Sequence, residues 1–196
     1  MGDEFKVLGL SCSPRKGGNT DLMCDAALEG AAGAGASVEK VMVAALDIHP
    51  CKECNACFKT GECVQQDDMQ GLYPKLLSYE GIVLAVPTFS MNLAAQAKTM
   101  IDRLQCLWAR KYVLKEHSVP EGLRARRRGL WLGAAGLDRP GVFEHSVPTV
   151  RYFFAMLEVP EWDRVLYHDV DDKGAIREVA GALEACRAAG ARIPPS

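Results

Sequence analysis

Short apolar runs alternate with amphipathic stretches along the 196 residues of the chain. Residues 5–11, Phe-Lys-Val-Leu-Gly-Leu-Ser, lead into Ser-Cys-Ser-Pro and Lys-Gly-Gly-Asn-Thr, which predicts a buried strand opening into a turn. Asn19, Thr20 or Asp21 can cap a helix there, with Leu22, Met23, Ala26, Ala27 and Gly30 at helical spacing as far as Gly33 and Gly35. Val38–Val43 predicts a second strand, and a loop dense in cysteine follows. Asp67 and Asp68 begin a helix with Met69, Leu72, Tyr73, Leu76 and Leu77 on one face, and Gly81–Val86 is a third, nearly wholly apolar strand. Beyond a turn at Pro87-Thr88-Phe89, the residues Leu93, Ala97, Met100, Ile101 and Leu104 mark the clearest amphipathic helix. Gly129–Ala134 predicts a fourth strand, and Pro148 suits the first turn of a helix carrying Val150, Phe153, Phe154 and Leu157. Arg164–Tyr167 predicts a fifth strand, and Ile176, Val179, Ala180, Leu183 and Cys186 a last helix ending near Gly190. Residues 109–128 form one long irregular connection.

Strands alternating with helices at this interval predict an α/β fold with right-handed crossovers: a doubly wound, five-stranded parallel sheet with helices on both faces. Unbroken apolar strands fit a sheet covered on both sides. Five strands match the flavodoxin-like order better than a six-stranded dinucleotide fold. Ligands of such sheets bind at the carboxyl ends of the strands near the switch point, so the loops after strands one, three and four are the expected site. No repeat or second domain is visible, and a single domain over residues 1–196 with a cysteine-rich loop at 50–66 is expected.

Charge narrows the partners: 23 Lys and Arg against 25 Asp and Glu leave a net charge of −2, with no broad positive field to draw the domain onto nucleic acid or an anionic membrane. The apolar runs fall short of the roughly 18 residues of a membrane span, and no basic n-region precedes a signal-like core. The expected location is the cytoplasm. Eight cysteines are many for such a compartment, and four of them, Cys51, Cys54, Cys57 and Cys63, fall within thirteen residues. In a chain of this length a cluster of that kind points to metal binding or redox chemistry rather than to a disulfide framework.

In the first expected site loop, hydroxyls, glycine-freed N–H groups and a helix N-terminus converge, a combination that binds phosphate, with Arg15 able to add charge-assisted hydrogen bonds. The loop matches neither the P-loop nor G-x-G-x-x-G. Ser-x-Ser-Pro-Arg-x-x-Gly-Asn-Thr after the first strand, Pro-x-Phe after the third, and a helix with Gln96, Lys98 and Ile101-Asp102-Arg103 resemble the NADPH-dependent FMN reductase-like superfamily over residues 5–105. The resemblance implies FMN, with its phosphate held by Ser11, Ser13, Arg15, Gly18, Asn19 and Thr20. It places the ribityl chain and isoalloxazine beside Pro87, Thr88, Phe89, Ser90, Met91 and Asn92. Cys12 and Met91 depart from it by standing where smaller residues are common, and Gly133-Ala134-Ala135-Gly136 by being less glycine-rich than the usual third loop.

Cys51-x-x-Cys54-x-x-Cys57-x5-Cys63, followed by Asp67-Asp68-Met69, resembles the compact motif of the iron-sulfur flavoproteins, which implies a 4Fe-4S cluster on those four thiolates. Structural zinc, which more typically uses two Cys-x-x-Cys pairs across a longer loop, and a loop of free thiols stay open as alternatives. The resemblance implies electron transfer between a ferredoxin-like donor, cluster, FMN and a terminal acceptor in a homodimer or homotetramer, with no side chain needed as acid or base. The alternatives are an NAD(P)H-dependent FMN or quinone reductase without a cluster, and a zinc-stapled binding module without flavin. Cys24, Cys106 and Cys186 read as core residues, Cys12 as a spectator, and Arg124, Arg126, Arg127 and Arg128 as a solvated lead into a strand or, less well supported, a pocket for the extra phosphate of NADPH. Burial is the expected role of Trp108 and Tyr112. None is assigned to His49, His117, His145 or His168.

Overall fold

A computed structural model describes residues 4–195; residues 1–3 and 196, the ends of the domain expected over 1–196, lie outside them. Five parallel strands, β1 (Lys6–Ser11), β2 (Ser37–Met42), β3 (Gly81–Phe89), β5 (Arg128–Ala134) and β6 (Glu161–Tyr167), stand in the order β2-β1-β3-β5-β6. This is the flavodoxin-like order, with the switch point between β1 and β3. The expectation missed one strand: β3 runs on through Pro87-Thr88-Phe89, and a two-residue turn at Ser90-Met91 brings β4 (Asn92–Leu93) back antiparallel against it. Both turn residues have positive φ, 49° and 66°, the twist a tight hairpin demands.

Side chains alternate along each strand and build two cores. Leu8, Leu10, Ile82, Leu84, Val86 and Trp131 point to one face, where α3 (Met69–Ser78), α4 (Ala95–Asp102), α5 (Gln105–Trp108) and α7 (Val147–Met156) cover them. Val7, Val83, Ala85, Leu130 and Leu132 point to the other, beneath α1 (Asn19–Gly33) and α8 (Ala182–Ala191). Those two helices approach to backbone contact: a Cβ on Gly190 would meet the backbone of Ala27, and one on Gly30 the backbone of Arg187 and Ala191. The last helix starts later than its periodicity predicts, because Gly181 takes φ 72° and separates α8 from a single 3-10 turn at Ala175–Arg177.

The long connection is built on paired charge. The chain reverses at Glu158, which has φ 53° and whose carboxylate accepts from Ser118 N at 2.7 Å and pairs with His117 Nδ1 at 2.6 Å and Arg124 Nη1 at 3.2 Å. Arg126 pairs with Glu80 at 3.1 Å and Arg128 with Glu161 at 3.4 Å. Arg127 is fully buried and donates to Leu157 O near the end of α7 and, at 2.5 Å, to Leu76 O of α3. Burial lowers its pKa to about 10. The expected solvated lead into the strand is corrected at Arg127 alone: Arg126 is exposed and Arg124 and Arg128 are half-buried, each paired with a carboxylate.

Candidate functional site

At the carboxyl ends of β1, β3 and β5 a recess of about 60 Å³ is lined by Ser13, Arg15, Asn19 and Thr20, by Pro87, Thr88 and Phe89, by Ala134 and Gly136, and by Val170 and Asp171. The first three groups come from the loops expected; the last, after β6, gave no signal in the sequence. Larger openings lie over Arg128, Glu161 and Arg192 and beside Glu158, where the charged groups are largely paired with one another.

The loop after β1 is folded around Asp21. Ser11 Oγ donates to its Oδ1 at 2.6 Å, the Gly17 N–H to its Oδ2 at 2.7 Å, and Lys40 Nζ lies 2.6 Å away. Burial pulls the Asp21 pKa up, but the hydrogen bonds from Lys40, Ser11 and Gly17 outweigh it and hold the carboxyl below its ordinary value. Ser11 is thus a buried strut beneath the recess rather than part of its lining. Asn19 is a staple: its Nδ2 donates to Val170 O at 3.1 Å and Asp172 O at 3.0 Å, and its Oδ1 accepts from Ile176 N at 3.2 Å. It does not cap α1; Gly18 occupies the N-cap position, with no side-chain cap.

What remains unpartnered faces a ligand's needs. Thr20 Oγ1 is buried without a hydrogen-bond partner and Thr20 stands on the lining, at the first turn of α1, where the leading N–H groups have no carbonyl of their own helix. Gly18 lets the loop close on itself: its N–H donates to Arg15 O at 2.8 Å, and a Cβ there would stand 2.9 Å from both Arg15 O and Ser13 Oγ. Arg15 is exposed on the rim, its Nη2 3.4 Å from Asp171 O. An orphaned hydroxyl, free amides at a helix N-terminus and a guanidinium form a donor set that fits a phosphate monoester. Pro87 and Phe89 give the recess an apolar wall, Phe89 being 43% exposed. Ser90, Met91 and Asn92 are not on the lining: the first two make the hairpin turn, with Met91 packed on the core, and Asn92 Oδ1 accepts from the Leu93 N–H at 2.8 Å. Cys12 lies buried under the loop, and burial pushes its thiol pKa up, an unreactive neutral spectator.

The cysteine loop leaves β2 at the same end of the sheet. Cys51, Cys54, Cys57 and Cys63 line one small recess, Cys54 exposed, Cys51 and Cys63 half-buried and Cys57 buried. Glu53 and Asn55, on either side of Cys54, take φ 51° and 57° and curl the loop around it. Burial raises the Cys57 thiol. Among the described residues no three Cys, His, Asp or Glu side chains converge on one point as ligands of a single ion do; the four cysteines share the lining of the recess instead. Its inner wall is Arg103, fully buried, which donates to both oxygens of buried Asp67, to His49 O at 2.9 Å and to Cys63 Sγ at 3.4 Å. The sequence attaches Asp67 to the cysteine motif and Arg103 to the Ile101-Asp102-Arg103 stretch, but it does not pair the two with each other. Cys106, expected in the core, is buried but lines this same recess. Trp108 and Tyr112 pack toward the loop, not the flavin recess: Phe58, Trp108 and Tyr112 stack in succession at 5.9 and 5.6 Å, and Tyr112 is exposed rather than buried.

Sheet order, phosphate cradle and apolar wall define a flavodoxin-like flavoprotein. The profile of the NADPH-dependent FMN reductase family matches residues 5–127. An iron-sulfur flavoprotein of Archaeoglobus fulgidus is 42% identical over 140 residues, 69% of this chain and 57% of that one. One from Methanocaldococcus jannaschii is 32% identical over 156 residues, 79% of this chain and 73% of that one. The chain spans less than two thirds of the Archaeoglobus relative's length. A solved NAD(P)H:quinone oxidoreductase from Methanothermobacter marburgensis shares the fold, with TM-score 0.70 at 16% identity over 97% of this chain and 99% of that one. The chain belongs to the NADPH-dependent FMN reductase family of flavin-dependent oxidoreductases, and within it to the iron-sulfur flavoproteins. Among the described residues no helix is long and apolar enough to cross a membrane.

Proposed function

We propose that this chain is a single flavin-binding domain over residues 1–196 that carries FMN at the β1, β3 and β5 loops and a 4Fe-4S cluster on Cys51, Cys54, Cys57 and Cys63. It passes electrons between a ferredoxin-like one-electron donor and a terminal acceptor. FMN, when bound, joins one-electron to two-electron transfer, and the cluster carries single electrons. The observation that carries this reading is that all four cysteines line one recess, whose wall is a buried guanidinium bonded to the sulfur of Cys63. Four closely spaced thiols supply the ligand set that a cubane needs.

The protein's own part is placement. Thr20, the first amides of α1 and Arg15 hold the phosphate; Gly18 lets the turn beneath them close; Asn19 fixes the segment after β6 against the cradle; Pro87, Thr88 and Phe89 flank the rest of the FMN. Eight cysteines without a disulfide among them fit a reducing cytoplasm, and the working unit is a homodimer or homotetramer, as the resemblance implies. A two-electron reductase fed by NAD(P)H with an empty cysteine loop is the competing outcome of one experiment. After anaerobic purification, FMN, iron, sulfide and zinc are measured per chain alongside the absorption spectrum. About four iron and four sulfide with stoichiometric FMN are expected for a cubane. Flavin without iron, with NAD(P)H oxidation by the same sample, would replace the proposal by the reductase.

A further inference from the structure

We infer that Arg103 is the positioning residue that sets the reduction potential of the cysteine-loop cluster, by donating to the sulfur of Cys63 a hydrogen bond whose charge is held in check by Asp67. This rests on the proposed cluster and goes beyond it, since the ligand set alone requires no arginine.

Arg103 follows α4 and lies with no exposed side-chain surface, an expensive place for a cation unless it is fully engaged. Nη1 donates to Asp67 and to the carbonyl of His49, just before Cys51; Nη2 donates to the other Asp67 oxygen at 3.2 Å and to Cys63 Sγ at 3.4 Å. The guanidinium therefore joins the start of the loop, its end and one of its sulfurs. Asp67 in turn accepts from His49 N at 3.0 Å and Met69 N at 3.1 Å, which fixes the carboxylate and with it the plane of the guanidinium. Nε is buried without a protein partner, and Arg103 lines the recess. A loop merely clamped shut would need only the bonds to Asp67 and His49. The bond to sulfur is the additional feature, and it is made to one of the four cysteines.

Hydrogen bonds and positive charge at a ligating sulfur stabilise the reduced, more negative state of an iron-sulfur centre and raise its potential. The paired carboxylate opposes that effect at short range. Removing the arginine and removing the carboxylate's charge should therefore shift the potential in opposite directions, which no common loss of packing would do.

Wild-type, Arg103→Lys, Arg103→Gln and Asp67→Asn proteins are reconstituted anaerobically, iron and sulfide are counted, and the cluster is titrated by EPR-monitored potentiometry. The expected result is a more negative midpoint in Arg103→Gln, a smaller negative shift in Arg103→Lys, and a more positive midpoint in Asp67→Asn. If Arg103→Gln cannot retain iron, the opposed shifts of the Lys and Asn variants carry the same test. Unshifted potentials, or shifts of one sign in all variants, would overturn the inference. Wild-type protein that takes up no iron and sulfide would remove the cluster itself, and the proposed function with it.

Discussion

Replacing Gly190 by alanine would usually be read as stabilising, because alanine is favoured over glycine inside a helix by about 1 kcal/mol. Here the opposite is expected. The added methyl would stand 2.6 Å from the Ala27 carbonyl carbon and 2.8 Å from its Cα. Those atoms are backbone of α1 and cannot rotate away, so α1 and α8 must separate along a seam that includes Met23, Ala27, Ala31, Cys186 and Ala189. Overpacking of a tight core costs typically about 1–3 kcal/mol, and contacts this short to immovable backbone belong at the upper end, so subtracting the helix preference leaves a net loss of up to about 2 kcal/mol. At about 2–4 °C per kcal/mol for a domain of this size, the melting temperature falls by up to about 8 °C. Gly71, in α3 with open space where its Cβ would be, serves as the control and gains stability on the same substitution. Gly30→Ala opens the same seam, with a Cβ 2.8 Å from the Arg187 carbonyl carbon, so the double variant loses less than the two singles added together. Urea unfolding followed by circular dichroism reads all four, with an unchanged m-value marking an effect on the native state. A Gly190→Ala protein as stable as wild type or more so would refute the reasoning.

Thr20→Val removes the orphaned hydroxyl without changing side-chain volume, and FMN affinity, measured by flavin fluorescence titration, falls about tenfold, the effect of losing a bond of about 1.4 kcal/mol, while flavin-free stability stays unchanged or improves. Cys51→Ala abolishes iron retention, whereas Cys106→Ala, in the same recess but outside the proposed ligand set, keeps the wild-type iron and sulfide content; a drop in the latter would make Cys106 a ligand. The depressed pKa of Asp21 makes its contribution fully present above the ordinary aspartate value of 3.8 and lost as pH falls from there through the lower folded value. Asp21→Asn therefore flattens the acid limb of a stability-against-pH curve, and an unchanged limb would show that Asp21 is not among the groups responsible.

Strand and helix order, the loops that line the recess at the carboxyl end of the sheet and the gathering of four cysteines in one loop were legible, because each rests on local pattern: apolar runs, helical spacing, or closely spaced thiols. The hairpin at Ser90-Met91 was not, since neither residue is the glycine or asparagine that usually announces two left-handed positions. Nor was the burial of Arg127. Its neighbours Arg124, Arg126 and Arg128 make a run that reads as surface, and only the meeting of α3 and α7 ends supplies carbonyls for a buried guanidinium. Ser11 and Asn19 carry site-like chemistry in the sequence, yet their polar atoms are taken up by Asp21 and by the segment after β6, partners 10 residues away for Ser11 and at least 151 away for Asn19. Arg103 met Asp67 across 36 residues, a separation that no spacing rule spans.

That last pairing ties two stretches of the gene together. The cysteine loop hangs from β2, an edge strand, so its removal would leave the hydrogen-bonded ladder of the sheet intact. It would not leave the molecule indifferent, because Arg103 is a buried cation that would lose Cys63 and find His49 and Asp67, the residues flanking the loop, drawn from their places. A chain of this fold that has an arginine at this position and no cysteine loop must offer the guanidinium other carbonyls and carboxylates, because a buried cation left unpaired is costly.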